Sequence, residues 1–327
     1  MKKMKTIVSS VLAVIMVLTL LAGCGSASGG QASEPAPEQT SEPVAENTSI
    51  TVTDMAGREV VLEKAAEKIV ALEPSDCKIL YYLDALDRLV GRGEYCDFPA
   101  EVMDVPSVQS GYETNIEEVI ALEPEVVIMT RMAQTEDQVN ALEKAGIKVI
   151  MTDAQDIEGV YTAIELIGKV VGRETEAQNT IDYMKSEFDA IKATALDEEK
   201  TIYFEVSPLE WGLWTAGNHT FMNEIAEMMG CKNAFADAEG WAEVSEEQVI
   251  AADPDYIVTI TMYFGEGPTP EEEIAARPGW ENIKAVVNGN IIDIQDNSLS
   301  RPSPRLVDGA RALYGLVVNP EQLENAA

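Results

Sequence analysis

Histidine is almost missing from this chain, with one, His219, in 327 residues. That excludes histidine-rich zinc sites and any proton relay that needs two imidazoles. Positive charge is scarce as well: 23 Lys and Arg stand against 57 Asp and Glu, for a net charge of -34. A polyanion of that strength repels DNA and RNA, so a nucleic-acid role is excluded. Three catalytic signatures are also missing: a glycine loop ending in Lys-Ser/Thr, a His-Glu-x-x-His pair and a Gly-x-Ser-x-Gly elbow. Gly91-Arg92-Gly93 lacks a third glycine and leads toward Cys96-Asp97-Phe98-Pro99 rather than into a helix. Carboxylates are so abundant that no two stand out as an acid/base pair. No catalytic residue, metal site or cofactor is expected.

What is present is a chain 46% hydrophobic, too apolar for a disordered acidic protein. Met1–Lys5 is basic, Thr6–Ala22 is an apolar run of signal-peptide length, and Leu21-Ala22-Gly23-Cys24 follows. The run is short for a membrane span, and small residues sit where a peptidase would cut. Leu-Ala-Gly-Cys resembles the lipobox of bacterial lipoproteins, which implies lipidation of Cys24 and an anchor at an extracytoplasmic membrane surface. Residues 25–48 are rich in Ser, Gly, Pro, Glu and Ala with no aromatic residue, the composition of a solvated tether. Cys77, Cys96 and Cys231 remain in an oxidising compartment. An odd number allows at most one internal disulfide, and Cys77–Cys96 is the expected pair because both lie in one lobe.

Beyond the tether about 280 residues remain, enough for two ordinary lobes or one large α/β domain. Ile50–Thr53 and Glu59–Leu62 flank a turn and read as a small hairpin. Buried-strand runs follow at Lys68–Leu72, Arg88–Gly91, Val126–Thr130, Lys148–Thr152, Thr201–Val206, Tyr256–Thr261 and Ile291–Ile294. Helical stretches separate most of them, an alternation that argues for parallel sheets. Glu117–Ile128 lines up with Glu247–Val258: a short helix, an acidic-Pro-acidic stop and a strand in both. Two copies imply two similarly built lobes, each carrying one carboxylate, Glu117 or Glu247, in an equivalent place. Between them Glu174–Leu196 places Ala177, Ile181, Met184, Phe188, Ile191 and Ala195 on one helical face. At about 1.5 Å per residue that helix would span about 33 Å.

The ordered set of lipobox, tether, hairpin, Lys68-Ile69-Val70-Ala71-Leu72-Glu73-Pro74-Ser75, Glu94–Pro99, the Ile-Ala-Leu-Glu-Pro-Glu stop and Arg301–Leu306 resembles one family. It is similar to the substrate-binding proteins of ABC importers for iron–siderophores, haem and vitamin B12, over about residues 48–318. The resemblance implies a class III fold, two Rossmann-like α/β lobes on a helical backbone with the ligand between them. The expected division is a signal peptide at 1–23, a tether at 24–48, a first lobe at 49–168, a linker helix at 169–199 and a second lobe at 200–327. It also implies a permease with its ATPase as partners, and the protein is expected to act as a monomer.

In the B12 binders, residues matching Tyr95, Trp214 and Trp241 face the ligand, and the turn at Pro74-Ser75 borders the cleft. Where those proteins carry further tryptophans, this chain has Gly111 beside Tyr112 and Thr130 beside Arg131. Arg131, Arg301 and Tyr112 fit the cationic or phenolic cleft residues of siderophore and haem binders. The ligand class therefore stays open among corrinoid, ferric siderophore and haem. A packing role competes with ligand contact at Tyr95 and Trp214, and a helix-entry arginine that neutralises nearby acids competes with it at Arg301, while Trp241, after Glu239-Gly240, reads as a cleft residue. Trp211 and Trp280 match no family position and are expected to pack, and His219 reads as a helix-start residue. The resemblance further implies that Glu117 and Glu247 meet arginine pockets on the permease; ordinary first-turn helix acids are the alternative. A secreted hydrolase, or a surface sensor or adhesin on the same fold, are the competing functions.

Overall fold

Val52, Val60 and Leu62 are buried on a hairpin formed by β1 (Ile50–Thr53) and β2 (Glu59–Leu62), paired antiparallel from Ile50↔Leu62 to Thr53↔Glu59. The Asp54 carboxylate closes its turn, accepting the backbone N–H groups of Ala56, Arg58 and Met151 and the Arg58 guanidinium. This computed structural model describes residues 49–111, 113–131, 135–196, 199–261, 265 and 267–318. The expected leader and tether, with Cys24, and the expected ligand residue Tyr112 lie outside the described residues.

The first half continues with β3 (Ile69–Ala71), α1 (Pro74–Tyr82), β4 (Leu89–Gly93), β5 (Ser107–Val108), α2 (Ile116–Ala121), β6 (Val126–Thr130), α3 (Glu136–Lys144) and β7 (Lys148–Thr152). Its five strands are all parallel, in the order β5-β4-β3-β6-β7. β3 is buried along its whole length and β6 at four of its five positions, as a parallel sheet covered on both faces requires. Then come α4 (Ile157–Val171), ended by Gly172 at a left-handed φ of 62°, and α5 (Glu174–Lys192).

The second half comprises β8 (Thr201–Glu205), β9 (Leu213–Ala216), α6 (Phe221–Met228), β10 (Lys232–Asn233), β11 (Trp241–Val244), α7 (Glu246–Ala252), β12 (Tyr256–Thr259), α8 (Pro270–Ala275), α9 (Lys284–Asn288), β13 (Ile291–Asp293) and α10 (Leu306–Val317). A second all-parallel sheet runs β10-β8-β12-β13, and β9 and β11 form a separate antiparallel ribbon.

The repeated segment has the same local geometry in both halves. α2 and α7 are capped by Asn115 and Ser245, whose side chains accept the N–H groups of Glu118 and Gln248. Glu123 and Asp253, equivalent in the repeat, both adopt positive φ, 50° and 44°, where the chain turns toward the strand. The strands that follow, β6 and β12, each lie beside the first strand of their sheet.

α5 joins the two halves. Ala177, Ile181, Met184, Phe188 and Ile191 are buried, and the helix packs on α1 and α4 from one half and α6 and α10 from the other. It ends at Lys192, short of Leu196, whose N–H bonds the carbonyl of Met229 instead. One buried apolar cluster runs through this face into both halves.

Two further seams tie the halves together. Gln155 accepts the Phe221 N–H at its carbonyl, 2.9 Å, and the Trp241 indole N–H at its side chain, 2.8 Å, while the Glu224 carboxylate accepts the Ile157 N–H at 2.7 Å. In the other seam, Lys78 on α1 donates to the Asn297 carbonyl at 3.4 Å, and Arg305 lies 4.5 Å over the Phe98 ring. Among the described residues no helix is long and apolar enough to cross a membrane.

Candidate functional site

Ligands of open parallel α/β sheets bind beyond the carboxyl ends of the strands. Three segments converge there. After β3, Glu73-Pro74-Ser75 opens α1, with Pro74 at the first helical position, where its missing N–H has no consequence. After β8, residues 206–211 form a tight loop whose exit uses Gly212 at φ 86°. Ser207 holds that loop, donating to the Gly212 carbonyl at 2.6 Å and accepting the Trp214 N–H at 3.0 Å. The third segment, Asn297 to Pro302, follows β13 and crosses to α1.

Together they enclose a cleft of about 630 Å³ lined by Glu73, Pro74 and Ser75, by Val206–Pro208 with Glu210 and Trp211, by Ile260 and Thr261, and by Asn297 and Ser300–Pro302. That volume suits a small-molecule ligand, since such pockets run from about 300 to 1,000 Å³. Trp211 offers a flat apolar face and is 70% exposed. Arg301 supplies a guanidinium that takes part in no ion pair among the described residues. The hydroxyl of Thr261, on the cleft wall, has no hydrogen-bond partner there either. A smaller chamber, about 80 Å³, adjoins the cleft and shares Glu73, Ser75 and Pro302 with it.

Behind the C-terminal wall the bidentate Arg277–Glu205 pair is buried, with distances of 2.7 and 2.8 Å, and Arg277 also meets Glu273 and stacks on Trp280 at 4.5 Å. Burial pushes the Glu205 carboxyl up while Arg277 pulls it back. Glu205 is the last residue of β8, so this pair fixes the point from which the Val206–Trp211 loop departs.

Of the residues expected at the ligand, Ser75 and Arg301 line the cleft. Trp241 lies at the lobe seam, half-buried, with its ring 5.3 Å from Phe221 and its N–H on Gln155. Tyr95, Arg131 and Trp214 are exposed and do not line the cleft. Trp211, expected to pack, is a cleft residue instead: Pro208 and Gly212 bracket a turn that projects what lies between them, a signal present in the sequence. Trp280 does pack, fully buried against Tyr203. His219 stands just before the α6 cap Thr220 at φ 58°, 3.9 Å from Glu239.

Cys77 and Cys96, expected as a disulfide, are both buried and meet through their thiols near the Ala71 carbonyl, yet both are free, as is Cys231. The hydrogen bond with the Cys96 thiol, followed by burial, pushes Cys77 well above the ordinary thiol range. No group of three His, Cys, Asp or Glu side chains placed to hold a metal ion occurs among the described residues.

Glu117 and Glu247 occupy the second position of α2 and α7, exposed and outside any ion pair among the described residues. Hydrogen bonds from its own backbone N–H and from Ser245 hold the Glu247 carboxyl below the usual range. Each acid thus stands in the first turn of the short helix that leads into the strand beside the first strand of its sheet.

The family described as periplasmic binding protein matches residues 69–298. An uncharacterized ABC transporter substrate-binding lipoprotein of Bacillus subtilis strain 168 is 34% identical over 308 residues, covering 92% of this chain and 94% of that protein. A vitamin B12-binding protein of Salmonella typhi is 28% identical over 253 residues, 76% of this chain and 89% of that one. Among solved structures, a possible iron-binding, periplasmic solute-binding protein of Staphylococcus epidermidis ATCC 12228 superposes with a TM-score of 0.65 at 29% identity, covering 78% of this chain and 99% of that one. Two parallel α/β halves on one helix, a cleft at their carboxyl edges and a match that spans both halves lead to one assignment: the chain belongs to the periplasmic binding protein family.

Proposed function

We propose that this protein captures a bulky metal chelate in the interlobe cleft and delivers it, chemically unchanged, to an ABC importer. A corrinoid is the first candidate, ahead of a ferric siderophore or haem. The observation that carries this reading is the cleft itself, where the exposed face of Trp211 stands in the same cavity as Arg301, which takes part in no ion pair among the described residues. A large flat ligand gains contact area from the indole, and a guanidinium orients any carboxylate or phosphate it bears. The name of the Salmonella typhi relative supports the corrinoid.

The proposal extends to the protein's setting. Lipid on Cys24 holds the chain at the extracytoplasmic surface of the cell membrane through the 24–48 tether, the protein works as a monomer, and Glu117 and Glu247 dock one on each permease subunit. The equivalent positions of those two acids support that last role.

Titration of intrinsic tryptophan fluorescence with cyanocobalamin, hemin and a ferric hydroxamate tests the ligand reading. Saturable quenching by cyanocobalamin is expected, weakened about tenfold in Trp211→Ala, since the lost apolar contact area adds to aromatic stacking of about 0.5–1.5 kcal/mol and tenfold is about 1.4 kcal/mol. Failure of all three chelates to bind would remove the function proposed here.

A further inference from the structure

Lys78 is fully buried in the middle of α1, yet it takes part in no ion pair among the described residues. A buried ammonium without a carboxylate partner is costly, so its presence there calls for a reason. It donates across the seam to the Asn297 carbonyl at 3.4 Å. Three and four residues earlier, on the same face of the helix, Ser75 and Pro74 line the cleft. Asn297 lines it too, at a left-handed φ of 57°, and its side-chain amide donates to Asp97 Oδ2 at 3.2 Å. The ammonium therefore stands behind the wall to which Asn297, Ser300, Arg301 and Pro302 belong.

Among the described residues that line the cleft, Arg301 is the one cation, beside the acids Glu73 and Glu210, and it pairs with neither. In a chain of net charge -34, a guanidinium that joins no carboxylate must be kept from one. The charges that act on the Lys78 ammonium are those of Arg301, Asp97, Arg305 and Asp296, so all four stand around the seam. Asp296 is already engaged: Arg305 meets it at 2.6 Å and Ser298 donates to it. Asp97 receives a neutral amide and forms no ion pair among the described residues, so of the two seam acids it is the one open to Arg301. Lys78 opposes that capture. Its charge attracts Asp97 and repels a guanidinium that turns back toward the seam, and a charge fixed in a buried site is screened less than one in solvent.

We propose that Lys78 is a positioning residue of the cleft: its buried charge, behind the Asn297 turn, keeps Asp97 from capturing Arg301 and leaves the guanidinium turned to the ligand. The proposal rests on the reading that Arg301 orients an oxyanion of the ligand, the phosphodiester of cyanocobalamin or a carboxylate of hemin. With Glu73 and Glu210 in the same cavity, an oxyanion is received only where Arg301 faces it. Lys78 touches no ligand, because it is fully buried and does not line the cleft.

Two measurements on the purified protein test this, and the first needs no chelate. Methionine removes the buried charge without opening a cavity, so Lys78→Met should fold, which thermal melting checks. In a Trp214→Phe background the exposed indole is that of Trp211, since Trp280 is buried and Trp241 half-buried. Quenching by iodide relative to acrylamide then reads whether a positive charge faces Trp211 in the cleft. Arg301→Ala should lower that ratio by roughly a third, Lys78→Met should lower it as far, and the two together should lower it no further. An unchanged ratio in either single variant, or additive losses in the double, would overturn the proposal, the last by showing that Lys78 acts through its own field. With cyanocobalamin, Lys78→Met should bind about tenfold more weakly, as Arg301→Ala does, and Asp97→Asn added to Lys78→Met should restore affinity to within about twofold of wild type. A lysine that merely supports the fold would show no such rescue. Full affinity in Lys78→Met, or a loss that Asp97→Asn does not restore, would overturn the positioning role and leave the corrinoid reading intact. The expected quenching pattern with no affinity for any chelate would leave Lys78 in its role and remove the proposed function.

Discussion

Asp76, which borders the chamber beside the cleft, is where a single residue should make its mark on stability. Burial and the Glu73 carboxylate raise its folded value from an ordinary 3.8 to about 8, with the Thr152 hydrogen bond opposing. Asp153 also borders the chamber, and among the described residues no Lys or Arg lines it. The folded chain thus keeps a proton that the unfolded chain releases near pH 4. By linkage, stability is fully present below the unfolded value and is lost as pH rises toward about 8. An asparagine does not titrate. Asp76→Asn should therefore match wild type at pH 4 and become progressively more stable, reaching a plateau near pH 8. One unit of displacement is about 1.4 kcal/mol, so the plateau is of the order of a few kcal/mol. Thermal melts at pH 4, 6 and 8 check this, and parallel curves for the two proteins would show that Asp76 is ionised in the fold. Nothing in the sequence singles this aspartate out. An acid in the first turn of a helix normally serves the helix dipole from solvent, and only the closure of β6 and β7 over α1 puts it out of reach of water.

At the scale of elements, the parts with local causes were legible and the parts assembled across the chain were not. The β1–β2 hairpin follows from alternation around a turn, and the strands β6 and β7 from unbroken apolar runs with the bounds expected. The repeated helix stop was readable because proline cannot continue a helix, and the structure adds the shared left-handed turn at Glu123 and Asp253. The cleft, by contrast, brings residues 73–75 against 206–211 and 297–302, a convergence that no local pattern encodes. That is why local pattern alone reads Trp211 as a packing residue although it lines the cleft, and why it does not separate Ser75 and Arg301, which line it, from Tyr95, Arg131 and Trp214, which are absent from its described lining. The seam at the start of α4 is of the same kind: the Ile157 N–H, one of the four unbonded donors of that helix, is met by Glu224 from α6 in the other half. Burial raises the Glu224 carboxyl and the Ile157 N–H opposes that, and removing the side chain leaves the Ile157 donor without this partner. Glu224→Ala should cost about 1–3 kcal/mol in denaturant unfolding. Amide exchange should speed up in the first turn of α4 and around Gln155, while α3 stays unchanged. Exchange that rises nowhere near residue 157 would mean the seam is held by Gln155 and Trp241 alone.

The whole molecule presents the same device twice. Each half carries a short helix with an exposed carboxylate at its second position, and α5 with two lateral seams holds the halves in register. A partner of two similar subunits, each offering a cationic pocket, would find both contacts at a fixed spacing, and this is the docking proposed above. The net charge of -34 favours approach to a cationic partner only within about 8 Å at physiological salt, and, spread over the whole surface, it supplies no address. The address must come from the two contacts. A charge-assisted hydrogen bond contributes about 1.5–3 kcal/mol, and reversing the charge replaces attraction with repulsion. Glu117→Arg or Glu247→Arg should therefore each lower binding-protein-stimulated ATPase activity of the reconstituted importer at least tenfold, with the double variant lower still. Cyanocobalamin affinity should be unchanged in all three, since neither acid lines the cleft. Reversing Glu118, one position along α2, removes the same overall charge without touching the repeat, and it should leave stimulation near wild type. Equal losses at Glu118 and Glu117 would assign the effect to bulk charge, and full stimulation by the double variant would place the permease contact elsewhere on the surface.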